Sequence, residues 1–169
     1  MKQYDGKVRV VFKNMVVHPQ VVTKAHQGTC AAAKQGKFLA YTDGVWEKGF
    51  NAYAASRDPS KLGEDNLVVI AKEAGMDPDK FKADMNSPEC ATFVQQDMAD
   101  LAKFKVNSTP AFFINGQYVG GALPAEGFKQ IIDQRLQVAA ASGVSGAEYY
   151  AKEVLGKGEK QFKSAAEAP

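Results

Sequence analysis

Apolar residues recur along this 169-residue chain with two periods, and the switch between them divides it. Lys7-Val8-Arg9-Val10-Val11-Phe12-Lys13-Asn14 alternates imperfectly and is rich in β-branched residues, which predicts a strand. After the break at His18-Pro19 the spacing turns helical. Residues 20–34 lack proline and end beside Gly36, with Val21, Val22, Ala25, Ala32 and Ala33 as the apolar stripe. A second, aromatic-rich helical segment follows Gln35-Gly36-Lys37-Phe38. Its Tyr41, Val45, Trp46, Phe50 and Tyr53 are expected to pack inward rather than to line a ligand groove. Arg57-Asp58-Pro59-Ser60 reads as a loop, and residues 64–74 as a short helix with Leu67, Ile70, Ala71 and Ala74 on one side. Asp77-Pro78 and Ser87-Pro88 each set a capping side chain before a proline at the first helical position. The helix after Ser87 is predicted to reach about residue 104, with Cys90, Phe93, Val94, Met98, Leu101 and Phe104 at helical spacing.

The period then falls back to two. Ser108-Thr109-Pro110-Ala111-Phe112-Phe113-Ile114-Asn115-Gly116-Gln117-Tyr118-Val119-Gly120-Gly121 reads as a proline-opened strand, a two-residue turn and a second strand. Asn115-Gly116 suits a type I′ turn, because both residues tolerate positive φ. Leu123-Pro124 opens a last predicted helix with Phe128, Ile131, Ile132 and Leu136 inward. The order strand, helices, strand, strand, helix is an α+β pattern in which a helical block interrupts a small sheet. Residues 142–169 differ: glycines and lysines surround one amphipathic piece over 147–155, and the last ten residues are expected to fray.

Composition narrows the function classes. At 18.2 kDa and 45% hydrophobic residues the chain can build a sizeable core. A net charge of +2 gives no reason to expect nucleic acid or an anionic membrane as partner. The longest apolar run, Leu67-Val68-Val69-Ile70-Ala71, is far too short to span a bilayer, and no apolar stretch follows Met1, so no signal peptide is expected. Cys30 and Cys90 are separated too widely for a C-x-x-C pair, and with only His18 and His26 to help bind a metal, no structural zinc site is expected. No G-x-G-x-x-G or P-loop surrounds Gly120-Gly121, and no cofactor is expected.

Thr109-Pro110-Ala111-Phe112-Phe113-Ile114-Asn115-Gly116 closely resembles the cis-proline hairpin of DsbA-like, thioredoxin-fold disulfide oxidoreductases. Residues 7–14 resemble the strand after that family's active-site helix. His18-Pro19 resembles the start of its helical insertion, and Gln35-Gly36-Lys37-Phe38 a signature within it. The resemblance covers roughly residues 2–140 with segment order preserved. It implies a thioredoxin-like α+β domain over 1–141, incomplete, with residues 7–14 and 110–141 as the thioredoxin part and 18–106 as a DsbA-like inserted helical subdomain. Residues 142–169 would be a C-terminal extension. It further implies a cis bond before Pro110, and Thr109 and Pro110 as substrate-binding residues that pair with extended or unfolded protein chains. The implied activity is extracytoplasmic or periplasmic thiol–disulfide exchange.

One departure stands against that activity. The family's chain begins with a strand leading to a C-x-x-C at a helix N-terminus, and neither Cys30 nor Cys90 matches that pair. Exchange by this route requires a thiolate and its resolving partner, so no catalytic residue can be named and the chain is expected to be inactive as it stands. A misassigned or cut start, a homodimer or domain swap across the gap, and a truncated, non-catalytic paralogue whose strands repack directly all fit, and the alternative function is a non-catalytic thioredoxin-like peptide-binding or dimerisation module. For Cys30 and Cys90 the resemblance implies a structural disulfide between two helices of the insertion. A reactive Cys90 near the helix start, or two inert core thiols, are the alternatives. His18 and His26 are expected to cap or pack, rather than to pair with a catalytic cysteine.

Overall fold

A computed structural model describes residues 2–163; residues 164–169, most of the tail expected to fray, lie outside the described residues. The chain divides into two compact units. One runs from Lys13 to Asp100, and the other joins the chain up to Phe12 with the chain from Leu101 onward.

The unit over 13–100 is helical and holds the main core. Its helices are α1 (Pro19–Lys34), α2 (Phe38–Gly44), α3 (Asn51–Ser56), α4 (Glu64–Glu73), α5 (Pro78–Met85) and α6 (Pro88–Lys103), the last continuing into the other unit. Proline occupies the first position of α1, α5 and α6, where its missing N–H costs nothing. Asp77 caps α5 by accepting from the Lys80 N–H at 2.8 Å. The buried face of α1 is made of small residues (Ala25, Gly28, Thr29, Cys30, Ala31 and Ala32), which lets neighbouring side chains come close. Tyr41 and Phe81, both fully buried, stack at 5.1 Å between centroids, and the Tyr41 hydroxyl donates to the Ala25 carbonyl at 3.3 Å. Leu62, Leu67, Ile70, Ala71, Met76 and Met85 complete this core.

The aromatic segment departs from the expected inward stripe. Residues 45–50 form a π-turn, which widens the helix and breaks the 3.6-residue register between Tyr41 and Phe50. Gly44 and Gly49 face inward in its place, against Ile70 and Leu62. Trp46 is left 61% exposed with Phe50 edge-on beside it, while Tyr41 alone is fully buried. The loop expected at 57–60 contains a 3₁₀ turn, Pro59–Leu62, capped by Asp58.

The other unit is thinner. β1 (Ala111–Ile114) and β2 (Gln117–Gly120) form an antiparallel hairpin pairing Ala111 with Gly120 and Ile114 with Gln117. The turn residues Asn115 and Gly116 both have positive φ, 44° and 86°, as a type I′ turn requires. α7 (Ala125–Ala141) packs on the Phe112 side of the hairpin through the Phe112–Phe128 ring pair. Tyr4, in a 3₁₀ turn over Lys2–Tyr4, reaches the same helix through its hydroxyl and the Asp133 carboxylate at 3.1 Å. α8 (Gly146–Tyr149) runs on into a π-turn, Tyr150–Gly156, with Arg9 over the Tyr150 ring.

Residues 7–14 are not a strand. The described residues hold one two-stranded sheet, and no ladder partner lies beside this segment. Its far end is drawn elsewhere: the Asn14 N–H goes to a buried carboxylate, and Asn14 itself is fully buried. With two strands to pack on, Phe128, Ile131, Ile132 and Leu136 of α7 are only half-buried. Tyr4, Val106 and Val119 are the buried apolar residues described in this unit. Among the described residues no helix is long and apolar enough to cross a membrane.

Candidate functional site

Thr109 and Pro110 lie exposed at the mouth of β1, joined by a cis peptide bond. The Pro110 carbonyl accepts from the Gly121 N–H at 2.8 Å, making 110 and 121 a hydrogen-bonded pair one step beyond the ladder. Antiparallel pairs alternate, so Phe112 and Ile114 direct their backbone groups toward β2, and Ala111 and Phe113 direct theirs away from it. No strand pairs with that outer edge among the described residues. Beside it, the Phe113 ring sits between Phe104 at 5.6 Å and Tyr118 at 5.2 Å, leaving Phe113 46% exposed. An extended polypeptide laid here would meet outward N–H and C=O groups, a small residue at 111 and a half-exposed aromatic cluster, the features that main-chain pairing onto a sheet edge uses. In the stretch from Ser108 to Gly116 the candidate nucleophiles are the Ser108 and Thr109 hydroxyls.

Cys30 of α1 and Cys90 of α6 form a disulfide, with Cα atoms 5.5 Å apart. Cys90 is fully buried and Cys30 nearly so. Ser87 supplies the cap of α6: its hydroxyl accepts from the Cys90 N–H at 3.2 Å. Neither sulfur is a free thiol, so the bonded arrangement holds and the two other readings of these cysteines do not.

A profile described as Thioredoxin matches residues 1–134. The chain belongs to this family. Among curated proteins, a Na(+)/H(+) antiporter NhaA of Herminiimonas arsenicoxydans is 27% identical over 130 residues, which is 77% of the chain and 19% of the antiporter. The chain thus spans about a fifth of the length of that relative. No solved structure gives a significant match.

This thioredoxin-family chain carries one polar cluster that its residue pattern did not reveal. Asp97 of α6, 2% exposed, accepts through one oxygen from the Asn14 backbone N–H and side-chain amide, each at 2.9 Å. Its other oxygen pairs with the Lys13 ammonium at 2.9 Å. The Asn14 amide oxygen in turn meets the Thr29 hydroxyl at 3.2 Å and His26 Nδ1 at 2.9 Å. With the amide NH₂ committed to the carboxylate, His26 must present an N–H at Nδ1. Burial holds the His26 imidazole below its ordinary value, against a smaller opposite pull from Asp97. The Asp97 hydrogen bond holds the Lys13 ammonium above its own. His26 therefore orders structure here and has no cysteine partner, while His18 stands before α1 without a side-chain capping bond. The one available signal was Asp97 falling on the apolar stripe with Cys90, Val94 and Leu101.

Proposed function

We propose that this chain is the polypeptide-binding part of a DsbA-like thiol–disulfide oxidoreductase domain. Thr109 and Pro110 guide an extended, unfolded protein segment onto the outer edge of β1. The observation that carries the reading is the Thr109–Phe113 edge, with outward backbone groups at Ala111 and Phe113 and no strand against it among the described residues. Thioredoxin-family membership supports it. The chemistry of exchange would come from a C-x-x-C that these 169 residues do not contain, because their two cysteines are spent in one disulfide. That disulfide also favours an oxidising, extracytoplasmic location.

The test pairs a binding measurement with an activity blank. A labelled unfolded peptide titrated with the chain should bind, and Thr109→Pro or Ala111→Pro should weaken binding several-fold while leaving the circular dichroism unchanged. Each removes a backbone N–H at the edge without breaking a ladder bond. Insulin reduction by the chain should stay at background. Unchanged binding in both variants, or robust insulin turnover, overturns the proposal.

The same open edge favours one alternative, a non-catalytic dimerisation module. Val10 at 69% and Val11 at 53% exposure add apolar surface to that unit. Sedimentation separates the two: a stable dimer that loses peptide binding as it forms favours self-pairing, and a monomer that binds peptide favours the substrate reading.

A further inference from the structure

The disulfide of the helical unit lies under an open groove of ≈ 430 Å³ lined by Cys30, Pro88, Glu89, Thr92, Phe93 and Gln96. Its two sulfurs are not equivalent. Cys30 belongs to the groove wall, whereas Cys90 does not and is fully buried behind it. Cys90 is the third residue of the 16-residue helix α6, with its N–H capped by Ser87. The N-terminal end of a helix favours negative charge, so it stabilises a thiolate at residue 90. Phe93 stands 44% exposed on the groove, although the helical pattern placed it inward. It offers an apolar wall for the carbon chain of a small reactant. Glu89 is taken up by the Lys34 ammonium at 2.5 Å, so its charge is partly answered where a thiolate would approach.

We propose that the groove is a site of thiol–disulfide exchange with small aliphatic thiols, and that Cys30 is the sulfur attacked. The incoming thiolate bonds to the Cys30 sulfur as the Cys30–Cys90 bond breaks, and the electron pair leaves on the Cys90 sulfur. A second thiol then attacks the mixed disulfide, releasing the small-molecule disulfide and leaving Cys30 as a thiolate. The two thiols are oxidised, the protein disulfide is reduced, and atoms and electrons balance. Bond polarity and access point the same way: the sulfur of the groove-lining Cys30 receives the nucleophile, and the sulfur of the fully buried Cys90 at the helix N-terminus departs.

The experiment uses the intact chain and 2-mercaptoethanol, whose neutrality makes selectivity report access rather than charge. After brief exposure to excess thiol under native conditions, free thiols are blocked with N-ethylmaleimide and the peptides mapped by mass. The mercaptoethanol adduct is expected on the Cys30 peptide and the maleimide on the Cys90 peptide, at least tenfold over the reverse. In denaturant the preference should vanish. An even split or a Cys90 adduct in the folded chain overturns the proposal, as does the absence of any adduct below the unfolding transition.

Discussion

Replacing Asp97 by alanine should be the most damaging single change in the helical unit, and the size of the loss follows from what it strands. One carboxylate oxygen accepts both the backbone and the side-chain N–H of Asn14, which is fully buried. Alanine leaves both donors without a partner, at roughly 1–3 kcal/mol each. Breaking a buried charge arrangement from one side costs about 3–5 kcal/mol in comparable cases, so the two routes to the figure agree. Asp97→Asn retains an oxygen in the same place and loses only the Lys13 pairing. Lys13 is 43% exposed and also bonds Asp100, so it can turn toward solvent, and the cost should be about 1 kcal/mol. Lys13→Ala should cost less than about 1 kcal/mol for the same reason. Urea unfolding followed at 222 nm measures the series. With a slope of about 2 kcal/mol/M, Asp97→Ala should lower the midpoint by roughly 1.5–2.5 M and Asp97→Asn by roughly 0.5 M. Equal losses for alanine and asparagine would show that charge pairing, not donor satisfaction, sets the energy. A midpoint unchanged in Asp97→Ala would refute the network outright.

Burial depresses the His26 pKa below the ordinary 6.5, so as pH falls the unfolded chain takes up a proton before the folded one does. Stability should therefore decline as pH drops below about 6.5 and level off beneath the folded value, and His26→Gln should flatten that slope in melting temperatures taken below about pH 6.5. Parallel slopes would contradict it. Gly28→Ala gains about 1 kcal/mol of helix propensity but drives its methyl into the Tyr41 hydroxyl and to 3.1 Å from the Phe81 ring. Overpacking at roughly 1–3 kcal/mol should win, because both rings are fully buried. Gly127→Ala in α7 meets Leu123 at an ordinary 3.5 Å and should stabilise, so thermal melts should move in opposite directions for the two glycines. Removing the disulfide with Cys30→Ala and Cys90→Ala together opens a 60-residue loop and should cost about 4 kcal/mol in the chain-entropy treatment, read as a lower urea midpoint.

The pattern of residues carried the hairpin, the capped helix starts and the helical block well, because each rests on local chemistry. Asn115-Gly116 demands a turn by its own φ preferences, and Asp77-Pro78 starts a helix wherever it stands. The failures have non-local causes. Residues 7–14 have the composition of a strand, but a strand exists only against a partner, and β-branched composition does not supply one. A 3.6-residue period places Trp46 and Phe50 inward, but the π-turn interrupts it; the inward glycines at 44 and 49 mark where the register slips. Asp97 escapes helical spacing, which counts apolar positions, and its partner Asn14 stands 83 residues away in the chain. For the site, Thr109 and Pro110 drew attention through their neighbours in sequence. The groove over Cys30 needed α1 and α6 brought together before it could be seen.

The two units divide stability and function unequally, and one cause accounts for both. The helical unit satisfies its backbone within each helix, so it can bury Tyr41, Leu67 and Phe81 completely with no help from a sheet. The hairpin unit cannot. A β-strand satisfies one side of its backbone per neighbour, and β1 has one neighbour among the described residues, so Ala111 and Phe113 keep outward groups open to water or another strand. The apolar residues beside that edge stay exposed for the same reason, Phe112 at 37% and Phe113 at 46%, and α7 finds too little surface to bury its own stripe. An arriving extended segment would pair those groups and cover the Phe104, Phe113 and Tyr118 rings in one step. It would gain main-chain hydrogen bonds where desolvation by the aromatic cluster makes them strongest. On the proposed reading, the deficit that leaves this unit thinly packed is the driving force for binding. A substitution that fills the edge from within should stabilise the fold and weaken peptide capture together.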